Sequence, residues 1–118
     1  DSMADSIEPL SPHKAVDEGD DVTLSCKYKK SVSVNSLQWY KQYPKSRPEF
    51  LLLILPSGDK SSLPPRLNAT VKNEQVNLII SSAAVSDSAL YYCALQPTVT
   101  GNPATLYKNL YMVLLLSE

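Results

Sequence analysis

Ligand-forming residues are scarce in this chain. It has one histidine, His13, and two cysteines, Cys26 and Cys93, which form no Cys-x-x-Cys pair. Zinc-type sites are built from clusters of these residues, so no metal and no cofactor is expected. Catalysis needs a base beside a nucleophile in a pocket, and His13, near the N-terminus, has no evident partner, so the chain does not read as an enzyme. Basic excess is also missing: 11 Lys and Arg stand against 12 Asp and Glu, a net charge of −1. A nucleic-acid footprint requires a clustered positive patch, so no nucleic-acid partner is expected, and Lys27, Lys29 and Lys30 read as a solvated loop end. Long apolar runs are absent too. Val113–Leu116 falls far short of the roughly 20 residues a spanning helix requires, so any membrane anchor is expected in regions C-terminal to this sequence. No helical period, internal repeat or low-complexity segment appears.

What is present is a succession of short strands between turn signals. At 118 residues the chain suits one domain, burying roughly two-thirds of its unfolded surface. Ser6–Pro12 reads as an edge strand, because Pro9 and Pro12 cannot donate ladder hydrogen bonds. Glu18–Asp21 is a turn. Val22, Leu24, Cys26 and Tyr28 alternate with polar residues and mark a half-buried strand. Leu37 and Trp39 face inward on the next, which throws Gln38, Tyr40 and Gln42 to the opposite face. After a turn at Pro44–Pro48 comes the apolar run Phe50–Leu55, then a turn at Ser57–Asp59. Leu67–Lys72 and Gln75–Ser81 read as a hairpin with Val76, Leu78 and Ile80 inward. Ala89–Leu95 is a further strand.

The cysteines stand 67 residues apart with the lone Trp39 between them, and Tyr91 sits two residues before the second. This Cys…Trp…Cys spacing and the Tyr position are those of an immunoglobulin β-sandwich, where the phenol hydrogen-bonds backbone at a corner. Trp39-Tyr40-Lys41-Gln42, Pro48-Glu49-Phe50-Leu51-Leu52 and Asp87–Cys93 resemble framework segments of an antigen-receptor variable domain. Ser86–Leu95 is similar to T-cell receptor alpha or delta variable segments. The resemblance covers about Ser6–Leu95. It implies an all-β immunoglobulin V-set sandwich, two antiparallel sheets joined by one disulfide between Cys26 and Cys93, in an oxidising compartment. Residues 6–95 are then the V-type domain, residues 1–5 a leader or cloning remnant, and residues 96–118 an atypical tail.

The resemblance also assigns roles. Arg66 and Asp87 are expected to form a structural salt bridge at the base of the sandwich. Tyr40, Gln42, Pro48, Phe50 and Tyr92 are expected on a pairing face, whose partner would be a second variable domain of T-cell receptor beta type, or another copy of the chain in isolation. Antigen, a peptide on a presenting molecule, would meet three end loops. The first is Lys30, Ser31, Val32, Ser33, Val34, Asn35 and Ser36; the second contains Pro56, Ser57, Gly58 and Asp59; the third begins at Gln96, Pro97 and Thr98. A location on the extracellular side of the plasma membrane follows. The other reading of such a domain is a V-set innate receptor or adhesion module that never rearranges. Asn68-Ala69-Thr70 is the sole Asn-x-Ser/Thr triplet without an intervening proline, a glycosylation acceptor.

The C-terminal part departs from the resemblance. A joining segment carries Phe-Gly-x-Gly, and here the only glycine beyond Cys93 is Gly101. Two readings stand. Codons for Pro97-Thr98-Val99 accommodate CACAGTG and those for Tyr107–Leu110 accommodate ACAAAAACC, the heptamer and nonamer of a recombination signal. The seven codons of Thr100–Leu106 and one base of Tyr107 separate them, close to the longer spacer class. On that reading the chain is a germline variable segment translated through its own signal. On the other, the tail is an unusual, functional final strand. Leu106–Leu116 is expected to pair as a surrogate final strand with Ala89–Leu95, the alternative being a strand of another molecule.

Overall fold

The computed structural model describes residues 7–11, 13–29, 34–97 and 107–116, with the backbone alone at 13, 97 and 107–116. The described residues form nine strands: β1 Ile7–Pro9, β2 His13–Asp17, β3 Val22–Tyr28, β4 Val34–Gln42, β5 Glu49–Ile54, β6 Leu67–Lys72, β7 Gln75–Ile80, β8 Ala89–Pro97 and β9 Tyr107–Leu116. They make two sheets, β1-β3-β7-β6 and β2-β9-β8-β4-β5. Alternation drives the packing. On β3, Val22, Leu24, Cys26 and Tyr28 are buried while Thr23 and Lys27 are exposed. On β7, Val76, Leu78 and Ile80 point into the same layer. Leu37, Trp39, Leu52, Tyr91 and Leu95 supply the facing side of one continuous core.

Cys26 on β3 and Cys93 on β8 are disulfide-bonded, tying the sheets together across a separation of 67 residues. Closing a loop of that length contributes about 4 kcal/mol in the chain-entropy account. Trp39 and Tyr91 are buried in the same cluster as the disulfide.

The N-terminal segment differs from the expected single edge strand. It divides between the sheets: β1 pairs antiparallel with β3, Ile7 opposite Tyr28, and β2 pairs with β9, His13 opposite Met112 and Asp17 opposite Leu116. The β2–β9 pairing is parallel, the one exception in sheets that are otherwise antiparallel. Both halves lie at sheet edges, where a strand containing Pro9 is tolerated. Ser6 and Pro12 lie outside the described residues, as do residues 1–5. At the other end of the chain β9 runs antiparallel to β8, from Leu95 opposite Tyr107 to Ala89 opposite Val113.

An irregularity in the β4–β5 ladder has a consequence for the surface. Trp39 faces Leu52, yet its neighbour Tyr40 faces Phe50, so Leu51 is the extra residue. A bulge of this kind lets two successive residues point inward. Leu51 and Leu52 are accordingly both buried, while Phe50 is turned outward and 51% exposed.

Candidate functional site

The bulge places Phe50 beside Tyr40 on the outer face of the five-stranded sheet. Their rings meet edge to face, centroids 5.6 Å apart, a geometry favoured by the ring quadrupoles. Tyr92 on β8 lies directly opposite Tyr40 on β4, and its hydroxyl donates to Gln42 Oε1. Gln42 Nε2 in turn donates to the Ser46 carbonyl at 2.8 Å. Four of the five expected face residues, Tyr40, Gln42, Phe50 and Tyr92, are therefore assembled by ladder register. Pro48 sits just before β5 and is exposed. The result is a half-buried aromatic group with an exposed phenyl ring and a side-chain amide held within the chain.

A polar ladder runs from this group toward the end loops. Tyr40 Oη donates to Gln38 Oε1 at 2.5 Å, Gln38 Nε2 donates to Ser36 Oγ at 3.1 Å, and Ser36 Oγ donates to Gln96 Oε1 at 3.4 Å. Burial raises the Tyr40 phenol above its ordinary pKa. Gln38 and Ser36 are buried, the latter only 2% exposed, which buried polar groups sustain by bonding one another. Alternation already places Gln38 on this face with Tyr40 and Gln42, although it is not among the expected pairing residues.

The loop boundaries need correction. Val34, Asn35 and Ser36 belong to β4, and Gln96 and Pro97 to β8, where Val34 faces Pro97 and Ser36 faces Gln96. The strands extend here with Ser36 and Gln96 hydrogen-bonded to each other across the ladder. Lys30, Ser31, Val32, Ser33 and Thr98 lie outside the described residues. The second loop is where it was expected: the Leu55 amide donates to the Asp59 carbonyl and the Gly58 amide to the Leu55 carbonyl, both at 2.8 Å. Gly58 has φ +102°, a conformation that costs glycine little. Pro56, Ser57 and Asp59 are exposed.

At the base of the sandwich Arg66 and Asp87 form a bidentate pair: Nη1 to Oδ2 at 3.0 Å and Nη2 to Oδ1 at 3.1 Å. Arg66 Nη1 also donates to the carbonyls of Ser81 and Ser82. The Ala84 amide donates to Asp87 Oδ2 at 2.8 Å, within a 3-10 turn over Val85–Asp87 that the sequence did not signal. Burial of Asp87 opposes its ionisation. The hydrogen bonds from Arg66 and Ala84, with the charges of Arg66 and Lys41, outweigh that and hold the carboxyl below its ordinary 3.8. Tyr91 Oη donates to the Asp87 carbonyl at 2.7 Å, and burial, then the Asp87 charge, push the phenol far above its usual range. Tyr43 Oη adds a bond to the Ser86 carbonyl at 2.7 Å. This end is a structural clasp.

Comparison with known proteins agrees with the geometry. The immunoglobulin V-set domain model matches residues 11–109. The human (Homo sapiens) T cell receptor alpha variable 22 is 39% identical over 92 residues, 76% of this chain and 79% of that protein. Human T cell receptor alpha variable 38-2/delta variable 8 is 37% identical over 102 residues, 79% of this chain and 82% of that one. Against the human T cell receptor alpha chain MC.7.G5, identity is 36% over 107 residues, 83% of this chain but 36% of the longer relative.

Proposed function

The chain belongs to the immunoglobulin V-set family and is homologous to T cell receptor alpha variable segments; from that membership we propose that it is the antigen-recognition variable domain of an alpha-type receptor chain. It pairs with a second variable domain of beta type through Tyr40, Gln42, Pro48, Phe50 and Tyr92, on the extracellular side of the plasma membrane. Antigen, a peptide on a presenting molecule, is met by the loops at the end of the sandwich where Ser36 and Gln96 finish the polar ladder. The observation that carries this reading is the Tyr40–Phe50–Tyr92–Gln42 group. Aromatics around a satisfied amide make the kind of core on which interfaces are centred, and Phe50 is half exposed.

The test is co-expression with a panel of beta-type variable domains, followed by size-exclusion chromatography. A heterodimer is expected, and Phe50→Asp is expected to weaken it at least tenfold, because a carboxylate desolvated at the centre of an interface costs more than 1.4 kcal/mol. Failure of every beta-type partner, or indifference of the heterodimer to Phe50→Asp, overturns the reading.

The pairing of β9 with β8 favours attention to a second reading, a V-set receptor that never rearranges, since a final strand is then supplied without a joining segment. Genomic DNA across the codons for Gln96–Glu118 separates the two. The heptamer and nonamer in place would make the tail a recombination signal translated in frame. A transcript running from this tail directly into a transmembrane exon would make it the native last strand.

A further inference from the structure

Outside the pairing face and the basal clasp, the outer surface of the four-stranded sheet has a chemistry of its own. Ser25 Oγ donates to Asn77 Oδ1 at 2.6 Å, Gln75 Nε2 to the same oxygen at 3.0 Å, and Asn77 Nδ2 to Thr70 Oγ1 at 2.9 Å. This surface is polar where the other sheet's outer face is aromatic. Asn68 and Thr70 stand on β6, the open edge of that sheet, both exposed, with Ala69 between them fully buried. Asn68 Oδ1 accepts from Lys60 Nζ and from the Ala69 amide, each at 2.9 Å. Both contacts fall on the oxygen, and Nδ2 makes no hydrogen bond to a described residue.

We propose that Asn68 carries an N-linked glycan, and that it covers the β6 edge while leaving the Tyr40–Phe50–Tyr92 face open. The acceptor triplet requires an exposed Asn two residues before a hydroxyl, and the alternation of β6 puts both on the outer side with the intervening alanine inside. The reaction is a group transfer from a lipid-linked oligosaccharide diphosphate. Asn68 Nδ2 bonds to C1 of the reducing-end sugar, the C1–O bond to the diphosphate breaks, the diphosphate leaves with the electron pair, and Nδ2 gives up one proton. The sheet keeps its register, because no ladder bond involves the side-chain amide. An unpaired strand edge is an aggregation template, and a bulky hydrated chain at Asn68 blunts this one. The inference draws on the secretory route that a receptor role entails, so the experiment supplies a cleavable secretory leader.

The full chain is expressed behind that leader in a eukaryotic cell, and entry into the lumen is read from the oxidised Cys26–Cys93 bond. Peptide N-glycosidase is expected to collapse a slower-migrating species and leave Asp at position 68, read by tandem mass spectrometry. Asn68→Gln and Thr70→Ala abolish that species, and Thr70→Ser retains it. An oxidised chain whose position 68 is unmodified Asn overturns the proposal. A glycan found on a chain that pairs with no beta-type domain upholds it while overturning the pairing reading, so the two failures are distinct.

Discussion

Single residues settle the base of the sandwich. Asp87 is 7% exposed and is shared by Arg66, the Ala84 amide and, through its carbonyl, Tyr91. Its folded pKa lies below the ordinary 3.8, so the stabilisation is complete above that value and is lost as pH falls through the lower folded one. Asp87→Asn removes a charge-assisted bidentate pair and is expected to cost about 1–3 kcal/mol near neutrality. Denaturant midpoints measured from pH 7 to pH 2 should show the wild-type advantage shrinking only at the acid end. The pair itself was legible through the resemblance of the sequence. Its burial was not, because the 3-10 turn over Val85–Asp87 that folds Ala84 back onto the carboxylate has no signature in an Ala-Ala-Val-Ser-Asp run. Ser36 misled in the opposite direction: a serine beside an asparagine reads as loop, and only the amides of Gln38 and Gln96, brought close by folding, make it a buried strand residue.

Among the elements, those with strict alternation were read best. β3 and β6 fall on the expected residues, β7 ends one residue earlier than expected, and β9 covers the described part of the expected Leu106–Leu116 strand, because alternation and turn residues are both local. β2 was missed because its partner β9 lies at the far end of the chain, and no local pattern announces a parallel neighbour. Turns also reveal what the sequence conceals. The Ser46 amide closes onto the Tyr43 carbonyl at 3.1 Å around Pro44 and Lys45, and Lys45 is held at φ +62°. That position of a Pro-led turn prefers glycine, since left-handed backbone costs an L-residue about 1–2 kcal/mol. Offset by glycine's greater unfolded-state entropy, Lys45→Gly is expected to raise stability by about 0.5–1 kcal/mol, read as a higher midpoint in urea with an unchanged slope.

At the scale of the molecule, one core and one disulfide hold two sheets whose outer faces differ in kind. Both the alternation and the cysteine spacing foretold the core. The aromatic face, Phe50 included, was expected from the resemblance; the bulge at Leu51 that turns Phe50 outward, and the polar face of the other sheet, were not. The strand carrying His13–Asp17 lies beside the strand carrying Tyr107–Leu116 and runs in the same direction. Traction applied at His13 and at Leu116 therefore pulls these neighbours past each other, so the hydrogen bonds between them are loaded together in shear instead of opening one after another. Ala15→Pro, which removes an amide from the middle of β2, should lower the unfolding force in single-molecule stretching. A domain fastened this way carries a mechanical latch where its second strand meets its last.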